Sequence, residues 1–289
     1  MEPLEIMAHS SHVNKIIFSD DEQSVVSAGF SGELRQWDVK TGTLLQEFIG
    51  HTKSVNGMAF IEQGKALLSV SADGTFRKWD VATGECLYSD NDQRKGIGSL
   101  KMTEEYALTS SPEAMLSVRT LPDGSVARKR KADQKNIGIM AVDHNKVAAV
   151  GGLGEAVRFF DIETLEKIDE ISAHDTAVMG FSFTHNNTAI SIGYHGDIKL
   201  WDVNKHTVIK EASLGGKGYY SLAISPSAQE VAVSMPHQIV ILDAESFQEK
   251  YRLQVKPKGN YGVAYSSSGQ YLALASADKR VRIWELDEK

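Results

Sequence analysis

The stretch SADGTFRKWDVATG at residues 71–84 decides the fold, because SGELRQWDVKTG at 31–42 repeats its shape forty-two positions earlier. The phrase returns along the chain as RQWD (35–38), RKWD (77–80), VRT (118–120), RFFD (158–161), KLWD (199–202), VILD (240–243) and RIWE (282–285). Measured on the aromatic or its replacement, Trp37, Trp79, Arg119, Phe160, Trp201, Leu242 and Trp284 are spaced by 42, 40, 41, 41, 41 and 42 residues. A step this constant over 289 residues marks a stacked or radial array of seven units.

Within a unit the apolar pattern has period two. The second unit reads VNGMAF (55–60), ALLSVS (66–71), TFRKWD (75–80) and CLYSD (86–90), four short segments separated by polar gaps. Such segments are strands joined by hairpins. The gaps carry turn residues, as in IEQGK, ADG and VATG here and SPSAQ (225–229) and SSSGQ (266–270) later. Gly42, Gly84 and Gly124 share one place in the third gap, where a positive φ is expected. No helical apolar stripe persists over three turns, so the chain reads as all-β.

Seven four-stranded antiparallel sheets bury both faces when packed radially, which predicts a seven-bladed β-propeller spanning residues 1–289 as one domain. The seventh unit reaches Trp284 with five residues left, too few for a turn and a fourth strand. LEIMAH (4–9) resembles the fourth strands LLQEFIGH (44–51) and KIDEISAH (167–174), so residues 3–8 are expected to complete the last blade and close the ring.

Lys and Arg total 31 against 38 Asp and Glu, a net charge of -7 that argues against non-specific nucleic-acid binding. Cys86 is the single cysteine; it excludes an internal disulfide framework, suits a reducing compartment and is expected to pack at an outer strand. The start, MEPLEIMAHS, shows no basic region followed by an apolar stretch, and no apolar run approaches membrane-spanning length. A soluble chain in the cytoplasm is expected, with the nucleus as a second compartment.

These units resemble the WD40-repeat family over the full length of the chain. The resemblance implies a buried hydrogen-bond relay in each blade: a His before the first strand, a Ser or Thr on the second, an Asp in the next turn, and the Trp. Unit two matches throughout with His51, Ser69, Asp73 and Trp79. Unit one has His9, Ser27 and Trp37 but Ser31 in the Asp position, and unit five has His174, Ser191 and Trp201 with His195 there. Unit seven keeps Asp278 and Trp284 but places Leu274 on its second strand. Units three, four and six lack the Trp, and unit three substitutes Arg119. Blades without the relay are expected to rely on apolar packing. Asp38, Asp80, Asp161, Asp202 and Asp243 are expected to cap the turn that follows each aromatic.

The His, Ser and Asp residues invite a catalytic-triad reading, but they recur blade after blade beside an indole. A nucleophile must be reachable and face an oxyanion site, so the set is read as structural. His9 and His12 in HSSH lack a third ligand and read as a surface loop, with no metal. GGLG (151–154) enters a strand rather than a helix, so it is a turn and not a phosphate loop. No cofactor or small-molecule substrate is implied. An enzyme of propeller type would need converging ionisable groups, and the expected upper loops offer His12, Lys95, His195 and His237 without a carboxylate pair.

What remains is surface. The resemblance implies that loops before each first strand and between the second and third strands converge on one mouth of the central channel. His12, Phe30, Tyr194, Tyr220, Met235 and Tyr261 fall in those loops; as aromatics, Met and His, they are read either as partner anchors or as residues packed on neighbouring loops. A second surface is SVARKRKAD (125–133), where Arg128, Lys129, Arg130 and Lys131, with Arg119 near, form a basic strand. It reads as edge protection or as a dock for an acidic, phosphorylated or RNA ligand. The expected function is a non-enzymatic scaffold binding protein or peptide partners through a rim, within a multiprotein complex; the alternative is a reader of acidic, phosphorylated or RNA ligands through the basic strand.

Overall fold

The computed structural model describes residues 2–286 except 92–94, 122–123, 133–136, 144–146, 153, 185–186, 219–220 and 257–258. Twenty-eight strands form seven four-stranded antiparallel sheets, with no helix among the described residues. The innermost strands of blades one to seven are Val13–Phe18, Val55–Ile61, Ser99–Met102, Ile137–Val142, Val178–Phe183, Ser221–Ile224 and Asn260–Tyr265. Each touches the next, and the seventh touches the first, so the inner strands stand in a circle. In blade seven the fourth strand is Leu4–Met7, paired antiparallel with Arg280–Glu285.

Seven hydrophobic clusters hold the sheets, one at each seam between neighbouring blades. Trp79, for example, packs with Val26, Ala28 and Leu34 of blade one, and Trp284 packs with Ile239 and Ile241 of blade six. Each of the seven ruler residues from Trp37 to Trp284 is buried. In the first six blades the third and fourth strands slip register immediately before that residue. A bulge adds twist and re-aims a side chain, which accounts for the same orientation in chemically different residues.

Three relays form. In blade two the Trp79 indole N–H donates to Ser69 Oγ at 2.8 Å, Ser69 meets His51 Nε2 at 2.7 Å, and His51 Nδ1 meets Asp73 at 3.0 Å. The Ser69 hydroxyl thus joins the indole N–H to the imidazole, and the imidazole to the carboxylate. Blades one and five repeat the first two links, with Trp37, Ser27 and His9 and with Trp201, Ser191 and His174. Their carboxylates come from another place than expected. His174 Nδ1 bonds Asp197, and His9 Nδ1 lies 3.5 Å from Glu33, so the acid stands two residues beyond Ser31 and His195, at the Thr75 position of blade two. At 3.5 Å the Glu33 contact is too long for a good bond, and that carboxylate is engaged by Ser10 and Ser31 instead.

Blades four and six fill the ruler position with Phe160 and Leu242, as apolar packing requires. Blade three does not. Arg119 is fully buried in the seam, its guanidinium 4.6 Å above the Phe76 ring, and it donates to Asp90 of blade two at 2.8 Å and to the Gly124 carbonyl at 2.9 Å. A buried cation costs several kcal/mol unless paired, and here aromatic, carboxylate and carbonyl surround it.

The aspartates after the ruler residues behave as expected. Asp38, Asp80, Asp161, Asp202 and Asp243 each accept backbone N–H groups of the following turn, at 2.7 Å from Thr41 and 2.8 Å from Thr83 in the first two. Gly42, Gly84 and Gly124 have φ of 70, 73 and 69°. In blades four, five and six Leu165, His206 and Phe247 adopt φ of 58, 53 and 57° at the same place, so the turn imposes that strained conformation even without glycine.

In the terminal pair, buried Ile6 joins the seam with blade one, and Glu5 accepts from Arg282 Nε at 2.6 Å. Arg282, itself buried, also donates to Asp278 at 2.6 Å, where other blades use a histidine. Deleting residues 1–8 removes Ile6, Ala8 and the Glu5 carboxylate together. The melting temperature is expected to fall by about 10 °C or more; an unchanged calorimetric transition would contradict this role.

The relay also sets a pH dependence. Burial, opposed in part by the nearby Glu33, lowers His9 from 6.5 to about 4, and burial lowers His174 as well. The unfolded chain therefore binds protons that the folded one refuses, and stability declines as pH drops from 6.5 towards 4. His9 alone accounts for a loss on the order of 3 kcal/mol. His9→Gln is expected to flatten the melting temperature against pH across that window, and a parallel curve would refute the assignment.

Candidate functional site

Among the described residues, four blades bond the loop between the second and third strands back to the loop before the first. Phe30 N–H donates to His12 O at 2.9 Å, Ala72 to Ser54 at 2.8 Å, Tyr194 to Ala177 at 2.9 Å and Ala277 to Gly259 at 2.7 Å. Both kinds of loop therefore gather on one rim. The rim is sewn together between blades by the second residue of the inner strand, which a register shift lifts out of its ladder. Asn14 donates to Val55 O of blade two at 2.9 Å, and Asn56 to Ile97 O of blade three at 2.8 Å.

Blade seven carries Tyr261 at that position, and its ring reaches blade one. Tyr261 stacks on His12 at 5.9 Å between centroids and meets Phe30 at 5.4 Å; His12 meets Phe30 edge-on at 5.8 Å. Such pairs add about 0.5–1.5 kcal/mol each beyond burial, which makes the trio a stiff platform. Phe30 is nevertheless 42% exposed and His12 is exposed. Beside them Glu33 accepts from Ser10 N at 3.0 Å and Ser31 Oγ at 2.7 Å. Burial would raise its pKa, but these bonds outweigh burial and hold the carboxyl below its ordinary range. An apolar centre with a polar, ionised border is the usual plan of a contact surface.

The other expected anchors lie elsewhere. Tyr194 is half-buried on blade five, with its ring 5.6 Å from His195. Met235 is 7% exposed and packs in the seam of blades five and six; its carbonyl accepts from Asn260 at 2.6 Å, so it is a core residue and not an anchor. Tyr220 lies outside the described residues.

The basic strand is also smaller than its sequence. Arg119 is removed from it by burial in the seam. Arg128 is half-buried with its guanidinium 5.6 Å from the Tyr106 ring, which leaves Lys129, Arg130 and Lys131 exposed on the outer strand Val126–Lys131. Cys86 is exposed rather than packed. Of the HSSH pair, His9 is buried in the relay rather than on a surface loop. No cluster of three or more metal-binding side chains occurs among the described residues.

A cleft of about 860 Å³ opens on the opposite rim between blades four, five and six, lined by Phe159, Phe183, Pro226, Asp143 and His206. The last two, its ionisable lining residues among those described, are engaged: Asp143 caps Val147 N–H at 2.7 Å, and His206 pairs with Asp169 at 2.5 Å under the stacked Phe159 ring.

The family model described as WD domain, G-beta repeat matches residues 2–38, 42–80, 165–202 and 258–285. These segments end on or just beyond Trp37, Trp79, Trp201 and Trp284, the units that keep the indole. The chain is also similar to a WD40 repeat-containing protein of Dictyostelium discoideum, 28% identical over 165 residues, or 53% of this chain. The match covers 25% of that protein, so the matched part of the chain spans about a quarter of that relative's length.

Proposed function

The chain belongs to the WD40-repeat family, whose propellers generally act as protein-interaction scaffolds, and from that premise we propose that it holds protein or peptide partners on the rim built around His12, Phe30 and Tyr261. The observation that carries this reading is the exposure of Phe30 within a trio that two blades hold rigid. An apolar ring fixed before binding loses little freedom on contact, so its burial converts efficiently into affinity. Tyr194 and His195 offer a second contact on blade five, and short loops spread over several blades suit an extended partner within a larger assembly.

The action is binding without turnover. The histidines beside serine and acid are buried with the indoles, where a substrate does not reach them, and in blade two their bonds satisfy one another. Lys129, Arg130 and Lys131 serve as edge protection, since they stud the outermost strand of blade three, where unpaired backbone would otherwise invite another chain. An exposed free Cys86 suits a reducing compartment, and the cytoplasm is the proposed location.

Affinity capture from the native host, quantified by mass spectrometry, tests the rim. Phe30→Ser with Tyr261→Ala is expected to reduce recovery of partner proteins about tenfold or more while the fold is retained. Phe30→Ser alone should give a large part of the loss with the fold retained and the melting temperature lower by a few degrees at most, since its two ring contacts go with it. Equal recovery by wild type and both variants would overturn the proposal.

A further inference from the structure

The cleft between blades four, five and six continues on both sides. It shares Thr184, Thr188 and Ala228 with a hollow of about 660 Å³ between blades five and six, and Val142 and Asp143 with another of about 540 Å³ between blades three and four. Hollows with common walls make one groove, which crosses the turns between first and second strands of four blades on the rim opposite Phe30. Its middle is apolar, lined by Phe159, Phe183, Val203, Ile224 and Pro226. Ile168 and Ile209, each 54% exposed, add to the lining from the outer strands Lys167–Ser172 and Thr207–Ser213. The outer strands on either side, Val126–Lys131 of blade three and Glu249–Gln254 of blade six, expose no large apolar side chain.

The charge of the groove is one-sided. Glu104 and Glu105 line its blade-three end, Asp143 its middle, and Asp243 and Glu245 its blade-six end. Glu104 and Glu245 are exposed, and among the described residues neither carboxylate has an ion-pair or hydrogen-bond partner. The cationic side chains of the described lining are engaged already: Lys250 pairs with Glu230 at 3.1 Å, and His206 with Asp169. Acids therefore stand uncompensated at both ends of an apolar floor. In the middle the side-chain amides of Asn187 and Asn204 are exposed and form no hydrogen bond among the described residues. Each amide offers donors and an acceptor, the combination that an extended peptide backbone requires.

We propose that this groove docks a short peptide segment of a partner protein, with apolar side chains in its centre and Lys or Arg towards its two ends. The central hollow of about 860 Å³ receives the apolar side chains, and their burial against Phe183, Ile168 and Ile224 supplies the affinity. The carboxylates of Glu104 and Glu245 attract the basic ends, speed the encounter and reject acidic segments. An acidic groove equally repels nucleic acid. The site lies on the rim opposite the trio of His12, Phe30 and Tyr261, so it stands or falls without that trio, and one ring has room for two partners at once.

Selection of a phage-displayed library of random short peptides on the whole chain tests the proposal, with the enriched peptides synthesised and titrated by fluorescence anisotropy. Enriched sequences are expected to carry Lys or Arg on both sides of an apolar centre and to bind more weakly as sodium chloride is added. Ile168→Glu is expected to weaken them about tenfold or more, and Glu104→Lys with Glu245→Lys to do the same. All three positions are exposed, so the variants should keep the wild-type circular dichroism and melt close to wild type, which separates lost binding from lost fold. The proposal is overturned if no peptide is enriched, if the enriched peptides are acidic, or if their affinity survives both variants. It is also overturned if the peptides are lost in Phe30→Ser and kept in Ile168→Glu, which places them on the other rim. Self-association in sedimentation that Ile168→Glu abolishes would put a second copy of the chain in the groove and overturn it as well.

Discussion

Every blade is apolar on both faces, so none is stable without two neighbours. This constraint governs the whole molecule. A lone four-stranded sheet would expose one side to water, and a row of sheets would expose its two ends; the arrangement that leaves no open face is the circle in which the seventh inner strand meets the first. Burial at roughly 25 cal/mol per Å² acts seven times, once per seam, and the polar devices refine it. The relays of blades one, two and five let a tryptophan, the largest apolar side chain, fill the seam while its N–H remains bonded. Arg119 shows that the position tolerates a cation provided that an aromatic ring, a carboxylate and a carbonyl come with it.

The fold was legible because its determinant is periodic. Trp37, Trp79, Trp201 and Trp284 set the step, and Arg119, Phe160 and Leu242 could be placed by spacing alone, since the bulge before each is a backbone property. Details that depend on direction were less legible. The acid partner of His174 was sought at His195 and stands at Asp197, because the side chains of both loop positions approach the same imidazole. Glycine marked three left-handed turns, yet Leu165, His206 and Phe247 adopt the same conformation with nothing in their identity to announce it.

The candidate site was half legible. His12 and Phe30 meet within blade one, but Tyr261 lies far from them in the chain, and only the meeting of blades seven and one completes the cluster. Met235 shares their loop class but belongs to the core, because the end of a second strand is where a seam begins as well as where a loop begins. Arg119 extended the basic run in sequence while its side chain points the other way.

Glu5 and Arg282 are bonded partners separated by 277 positions. On a ribosome adding roughly 5–20 residues per second, the segment Leu4–Met7 waits on the order of 15–55 s before its mate emerges. For that interval both chain ends present open strand edges and an unfilled seam. The strand that closes this ring is thus also the element that a neighbouring chain could exchange, since an identical Leu4–Met7 fits the same edge.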